Sequence, residues 1–182
     1  FLLEARNAGE KWNYGSPGTG TVGHLGMELI KLKASIRPMH IPFQGVPQII
    51  NAMVGGQVQM ALIPVGQAMT HVRSGRIRAI GSTAGARSPL APEIPTLREV
   101  GISGVDLEVW NALAAPKSMP TPIAQRVLKE VQDIIRSAEI RQQLFSQGWQ
   151  AMGTSPEALR YTMKQTAAAL GGVIQMGNIR LE

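Results

Sequence analysis

Short apolar segments alternate with helical ones through the first half of the chain, and this alternation restricts the fold more than any other feature. Residues 1 to 12 read as the end of a helix, with Phe1, Leu2 and Leu3 followed by Glu4, Arg6 and Glu10, running into a short strand at Trp12, Asn13 and Tyr14. Val22, Leu25, Leu29 and Leu32 recur at three- and four-residue spacing, which lays one apolar stripe along a helix of about residues 21 to 34. The pattern repeats as strand near Met39 to Phe43, helix near Pro47 to Val54, strand near Val58 to Ile63, helix near Val65 to Arg73 and strand near Ile77 to Thr83. Parallel strands need a crossover between them and helices supply it, so the expected architecture is α/β, a mostly parallel sheet flanked by helices.

Residues 84 to 104 are rich in Pro and Gly, with one helical turn expected around Thr96 to Val100. Val105 to Ala115 resumes a strand, broken by Pro116 and Pro120, where a lobe boundary is expected. Beyond it the pattern is helical. Thr121 is the expected N-cap with Pro122 behind it, and Ile123, Val127, Val131 and Ile134 share one face. A second helix runs through Ile140 and Leu144 and stops before Gly148. A third opens on Ser155 and Pro156, with Glu157 in the first turn, and reaches about Gln175.

Composition removes several function classes. No apolar run approaches the roughly 18 residues of a membrane span. The absence of cysteine excludes disulfides, thiolate metal sites and cysteine nucleophiles. A net charge of +6 favours anionic partners. Nucleic acid is not expected among them, because aromatics for stacking are only 4% and the cations are scattered. Phe1 has no basic and apolar leader ahead of it, so the chain reads as a fragment or a processed product.

The stretch Tyr14-Gly15-Ser16-Pro17-Gly18-Thr19-Gly20-Thr21-Val22-Gly23 joins a strand to a helix. Glycines there let the backbone turn and present N–H groups, and the helix N-terminus adds roughly half a positive charge, so the expected ligand is an anion. Gly18, Gly20 and Gly23 match G-x-G-x-x-G, but a dinucleotide fold wants a carboxylate about 20 positions on, where His40-Ile41-Pro42-Phe43-Gln44 has none. Gly15 to Thr21 resembles a phosphate loop without its lysine, and Ser16 lacks the flanking pattern of a nucleophile elbow. A plainer alternative is a tight turn in which Thr19 or Thr21 only caps the helix. Three hydroxyls, Ser16, Thr19 and Thr21, beside bare amides favour a carboxylate.

His24, His40 and His71 are too far apart in sequence for a local metal pattern, and no metal site is expected. The methionines read as core packing. Trp110 follows the presumed crossover strand and either lines a cleft or packs, whereas Trp12 and Trp149 read as packing. Arg73, Arg76 and Arg78 around Gly75 read as a solvated turn.

The segments from Tyr14 to Thr21, His40 to Gly45, Gly55-Gly56-Gln57-Val58 and Gly75 to Ile80 resemble the Bug-type or TctC-like periplasmic solute-binding receptors of tripartite tricarboxylate transporters. So does the stretch Arg87-Ser88-Pro89 through Pro92-Glu93-Ile94-Pro95-Thr96-Leu97-Arg98-Glu99-Val100-Gly101, followed by Trp110, Ala115 and Pro116. The resemblance implies a type II periplasmic-binding-protein lobe within a two-lobed clamp. Residues 1–11 are then the incoming crossover from lobe one, 12–110 the α/β ligand lobe, and 111–182 a mainly helical return to lobe one, whose opening section is not in this chain. Family members commonly carry Lys at the place of Gln44, glycines at Val46 and Pro47 and Asp at Gln59, so the second ligand loop here is less cationic and stiffer.

The function implied is non-catalytic: a periplasmic receptor that captures a small carboxylate (a di- or tricarboxylate, acidic amino acid or aromatic acid) and delivers it to the transporter's membrane subunits, with no cofactor. Its ligand-binding residues are expected to be Ser16, Gly18, Thr19, Gly20, Thr21, Phe43, Gly45, Pro64 and Trp110. Apolar surface left uncovered points to self-association. A nucleotide-dependent or hydrolytic enzyme, and a ligand-independent interaction module, are the competing classes.

Overall fold

The strand Asn13–Ser16 (β1) is the middle of a three-stranded parallel sheet, with Met39–Pro42 (β2) on one side and Met60–Ala61 (β3) on the other, in a computed structural model that describes residues 1–180. Register is set by Tyr14 opposite His40 on β2 and opposite Met60 on β3. The helices Leu2–Ala8 (α1), Val22–Ala34 (α2), Val46–Val54 (α3) and Val65–Arg73 (α4) surround this sheet. The α2 helix begins where the Thr21 hydroxyl accepts the His24 N–H and ends at Ser35, in the left-handed region with φ 53°. Its Leu25, Met27, Ile30 and Ala34 form one core with Tyr14, Met60, Ala5 and Ile36.

Helix α3 connects β2 to β3 across β1 and buries Val46, Ile49, Ile50 and Ala52. Gly15 makes this approach possible, since a Cβ there would lie 2.9 Å from Ile49 Cγ2.

Three strand expectations are corrected. Val58–Ile63 shortens to Met60–Ala61, because only Tyr14 and Gly15 face it. Ile77–Thr83 forms no strand; Ser82 alone bridges to Thr96, and Thr83 exchanges bonds with Leu107, whose N–H donates to the Thr83 carbonyl at 3.2 Å and whose carbonyl accepts the Thr83 hydroxyl at 2.7 Å. Residues 105–115 are extended without being a strand. Val105 and Leu107 reach the core, but from residue 108 to 115 no backbone N–H finds a protein acceptor among the described residues, and a strand exists only where a neighbour completes the ladder.

The Pro- and Gly-rich excursion is fastened to itself. Arg87 grips Glu99 through Nε and Nη2 at 2.8–3.1 Å and donates to the Pro92 carbonyl, while Glu99 accepts the Thr96 N–H and Thr96 Oγ1 accepts the Glu99 N–H. That reciprocal pair is a capping box, and it explains the turn expected at Thr96 to Val100.

Thr121–Arg136 (α5), Ala138–Ser146 (α6) and Pro156–Met176 (α7) complete the fold. Thr121 is the first residue of α5 and Pro120 its cap, so the expected side-chain cap is corrected. Helix α7 packs against α2, inserting Leu170 into the core that α2 shares and burying Val173 one turn on. On α5 the expected stripe is present, yet Ile123, Val127 and Ile134 stand exposed.

Candidate functional site

Each of α2, α3 and α4 follows a parallel strand, so all three begin at the same edge of the sheet, outside the carboxyl ends of β1, β2 and β3. Ligands of open α/β sheets bind at that edge. None of the three helices carries an acidic residue in its first turn. Their partial positive ends are therefore not neutralised by carboxylates of their own first turns. By contrast, α6 and α7 have Glu139 and Glu157 in theirs.

The β1–α2 loop is shaped by internal bonds. Gly18 and Gly20 take φ values of 135° and 78°, which side chains disfavour. The Gly18 N–H donates to Ser16 Oγ at 3.3 Å, the Gly20 N–H to His24 Nδ1 at 3.0 Å, and the Thr21 N–H to the Gly18 carbonyl at 3.3 Å. Thr21 Oγ1 donates to that same carbonyl at 2.7 Å. Ser16 is fully buried with its Oγ 2.6 Å from His40 Nε2. The expectation of three free hydroxyls is thus corrected at Ser16 and Thr21, because a turn this tight satisfies its own polar groups first. Among the described residues, the hydroxyl and N–H of exposed Thr19 and the N–H groups of Val22 and Gly23 take no protein partner.

Phe43 follows β2 directly, its N–H donating to the Ser16 carbonyl and its ring lying against Gly15. Gly45 caps α3 with φ 98°, and the neighbouring Gln44 N–H is taken by Gln48 Oε1 at 3.0 Å. Pro64 caps α4 and borders the open crevice, which Thr21, Val22, Gly23 and Trp110 also border. Trp110 is partly exposed and its Nε1 donates to Thr166 Oγ1 at 3.4 Å. Ser16, Gly18, Thr19, Gly20, Thr21, Phe43 and Gly45 come together around the ends of β1 and β2; Pro64 and Trp110 stand on the crevice wall.

His24 and His40, far apart in sequence, stack with ring centroids 3.9 Å apart. Tyr14 lies 5.0 Å from His40, and its hydroxyl donates to Glu28, which also takes Lys31 Nζ at 2.7 Å. Burial pushes the His40 imidazole down to about 4, helped by the His24 beside it; His24 is likewise lowered by burial. Burial raises Glu28, but the Lys31 and Tyr14 hydrogen bonds outweigh it and hold this carboxyl below its usual range. Part of the signal lay in the sequence, since His24, Glu28 and Lys31 share one helix face at i, i+4 and i+7, but no local spacing places His40 beside them. No group of metal-ligating residues occurs among the described residues.

The chain belongs to the tripartite tricarboxylate transporter receptor family, TctC, whose model matches residues 1–179. A UPF0065 protein from the tcbD–tcbE intergenic region of Pseudomonas sp. strain P51 is 30% identical over 160 residues, covering 87% of this chain and 48% of that protein. The chain therefore spans about half the length of that relative. A solved structure described as a periplasmic transporter has TM-score 0.88 and 26% identity, covering 100% of this chain and 61% of the other. A protein of R. palustris solved with adipate has TM-score 0.90 at 24% identity, covering 98% and 60%.

Proposed function

We propose that this member of the receptor family is the ligand-holding part of a non-catalytic periplasmic receptor that captures a small carboxylate for a tripartite tricarboxylate transporter. The observation that carries this is the meeting of three helix N-termini, none with an acidic residue in its first turn, at one edge of the sheet. Adipate, held by one structural neighbour, is a dicarboxylate of the kind proposed. In this proposal Thr19 and the Val22 N–H donate to the ligand, Ser16, Gly18, Gly20 and Thr21 hold the loop in shape, and Phe43, Gly45, Pro64 and Trp110 line the rim. Residues 12–110 act as the ligand lobe, between an incoming 1–11 and a returning 111–182. Membrane subunits of the transporter are the downstream partners.

Calorimetric titration with di- and tricarboxylates, acidic amino acids and aromatic acids tests this. Thr19→Ala should weaken the best of them about tenfold if its hydroxyl makes one charge-assisted bond. No heat from any carboxylate, or an unaltered affinity in Thr19→Ala, would reject the site.

Self-association belongs to the same proposal. A compact monomer of this mass exposes about 8,500 Å², whereas this chain exposes 12011 Å². The difference, about 3,500 Å² on one chain, exceeds the roughly 800 Å² that each partner of a standard interface buries.

A further inference from the structure

We propose that His24 is a positioning residue for the ligand loop: its neutral imidazole accepts the Gly20 N–H at Nδ1 and holds residues 17–21 in their capture shape, so that protonating His24 releases the loop. This rests on the receptor function proposed above. Both imidazoles serve one loop, His24 buried and His40 half-buried. His40 Nε2 holds Ser16 Oγ at 2.6 Å, and that oxygen accepts the Gly18 N–H, while His24 Nδ1 takes the Gly20 N–H at 3.0 Å. Thr19 lies between these two anchors, with its own donors uncommitted. An N–H donor needs a lone pair opposite it, so Nδ1 must be unprotonated; a proton there would set donor against donor.

The surroundings make that proton a real choice. His24 is 5% exposed and stacks on His40 at 3.9 Å, so two imidazolium charges would be in contact. Tyr14 faces the pair from β1, and Glu28 and Lys31 from α2. Neither α3 nor β3 carries a titratable residue, and α7 buries Leu170 and Val173 on its side. Glu28 favours the imidazolium, but Tyr14 and Lys31 already occupy it. Acidification is then the signal that loosens the loop, and loss of ligand is its consequence.

The test compares the whole chain with His24→Asn, whose side-chain carbonyl can accept the Gly20 N–H but cannot titrate in this range. His24→Leu removes the acceptor altogether. Adipate is the probe, titrated calorimetrically from about pH 7.5 to about pH 4.5 with circular dichroism confirming that each protein stays folded. Adipate's own titration is common to all three, so the ratio between proteins isolates the histidine. The parent should lose at least about fivefold more affinity than His24→Asn across this range, and His24→Leu should be weak throughout. Parallel curves for parent and His24→Asn overturn the proposal. In the ligand-free protein, the Gly20 amide proton resonance should follow the His24 ring titration and become pH-independent in His24→Asn. A Gly20 resonance indifferent to the ring overturns the clasp whether or not adipate binds. A Gly20 resonance that follows the ring in a protein binding no carboxylate upholds the clasp and rejects the receptor function instead.

Discussion

Gly66, in the first turn of α4, and Gly148, just past the end of α6, lie backbone to backbone. A Cβ on Gly66 would collide with the Gln147 carbonyl, and one on Gly148 would sit 2.5 Å from the Gly66 Cα. This pair seats the C-terminal helices on the crevice edge beside Pro64.

Gly66→Ala should therefore unseat α6 and cost about 1–3 kcal/mol, as overpacking does. Urea unfolding would register the loss, and limited proteolysis should begin cutting within residues 137–149. A variant as stable and as resistant as the parent would show that the contact contributes nothing.

At Gly15 the obstacle is Ile49 Cγ2, so Gly15→Ala should destabilise the β1–α3 packing by a similar about 1–3 kcal/mol. Ile49→Ala alone should cost about 2–5 kcal/mol because Ile49 is fully buried. The double variant should lose less than the sum of the two. Strict additivity in denaturant melts would place the clash elsewhere.

Ser16→Ala should weaken the fold by about 1–3 kcal/mol, since it leaves the Gly18 N–H and the His40 imidazole without their partner. Thr19→Ala, on an exposed residue with no internal bond, should melt with the parent. Thermal melts of the two separate a shaping hydroxyl from a free one, and equal melting of both would contradict the assignment.

Acid should destabilise the protein through the stacked histidines. An unfolded histidine takes its proton near pH 6.5, whereas His40 resists until about 4 and His24 is also lowered, so between these limits the unfolded chain binds more protons. Their stabilisation is complete above about pH 6.5 and is lost as pH falls toward about 4. Glu28, held low by Lys31 and Tyr14, adds loss in the same direction at the acid end. Urea midpoints should fall with pH across this window and fall less in a His24→Asn, His40→Asn double variant. A flat profile in the parent would remove the burial argument.

The exposed Ile123, Val127 and Ile134 should drive association of the chain. Light scattering should report a mass above the 19.5 kDa monomer, and Val127→Glu with Ile134→Glu should return it to that value. A monomeric parent at high concentration would show that this face remains open to water.

Local periodicity was enough to locate β1, α2, β2, α3, α4 and the three late helices, because each carries its apolar spacing and its caps within a few residues. Residues 77–83 and 105–115 carry the same β-forming composition and formed no strands, since pairing depends on a neighbour that no local pattern names. Similarly, the loop from Ser16 to Thr21 was legible as a glycine turn between a strand and a helix, while the spending of Ser16 and Thr21 on internal bonds was not. His24 and His40 illustrate the same divide: their spacing excluded a local motif, and only the parallel pairing that sets Tyr14 beside His40, with α2 folded back over β1, stacked them.

Composition and spacing, then, determined most of the element types and made an anion the expected ligand, because hydrophobic period, caps and glycine placement are properties of neighbouring residues, while the family was read from the resemblance of motifs along the chain. Tertiary structure decided which donors remain free, which imidazoles meet and which apolar faces stay uncovered. Those depend on distances between segments far apart in the chain, and such distances are fixed only when the sheet register and the helix contacts are formed together.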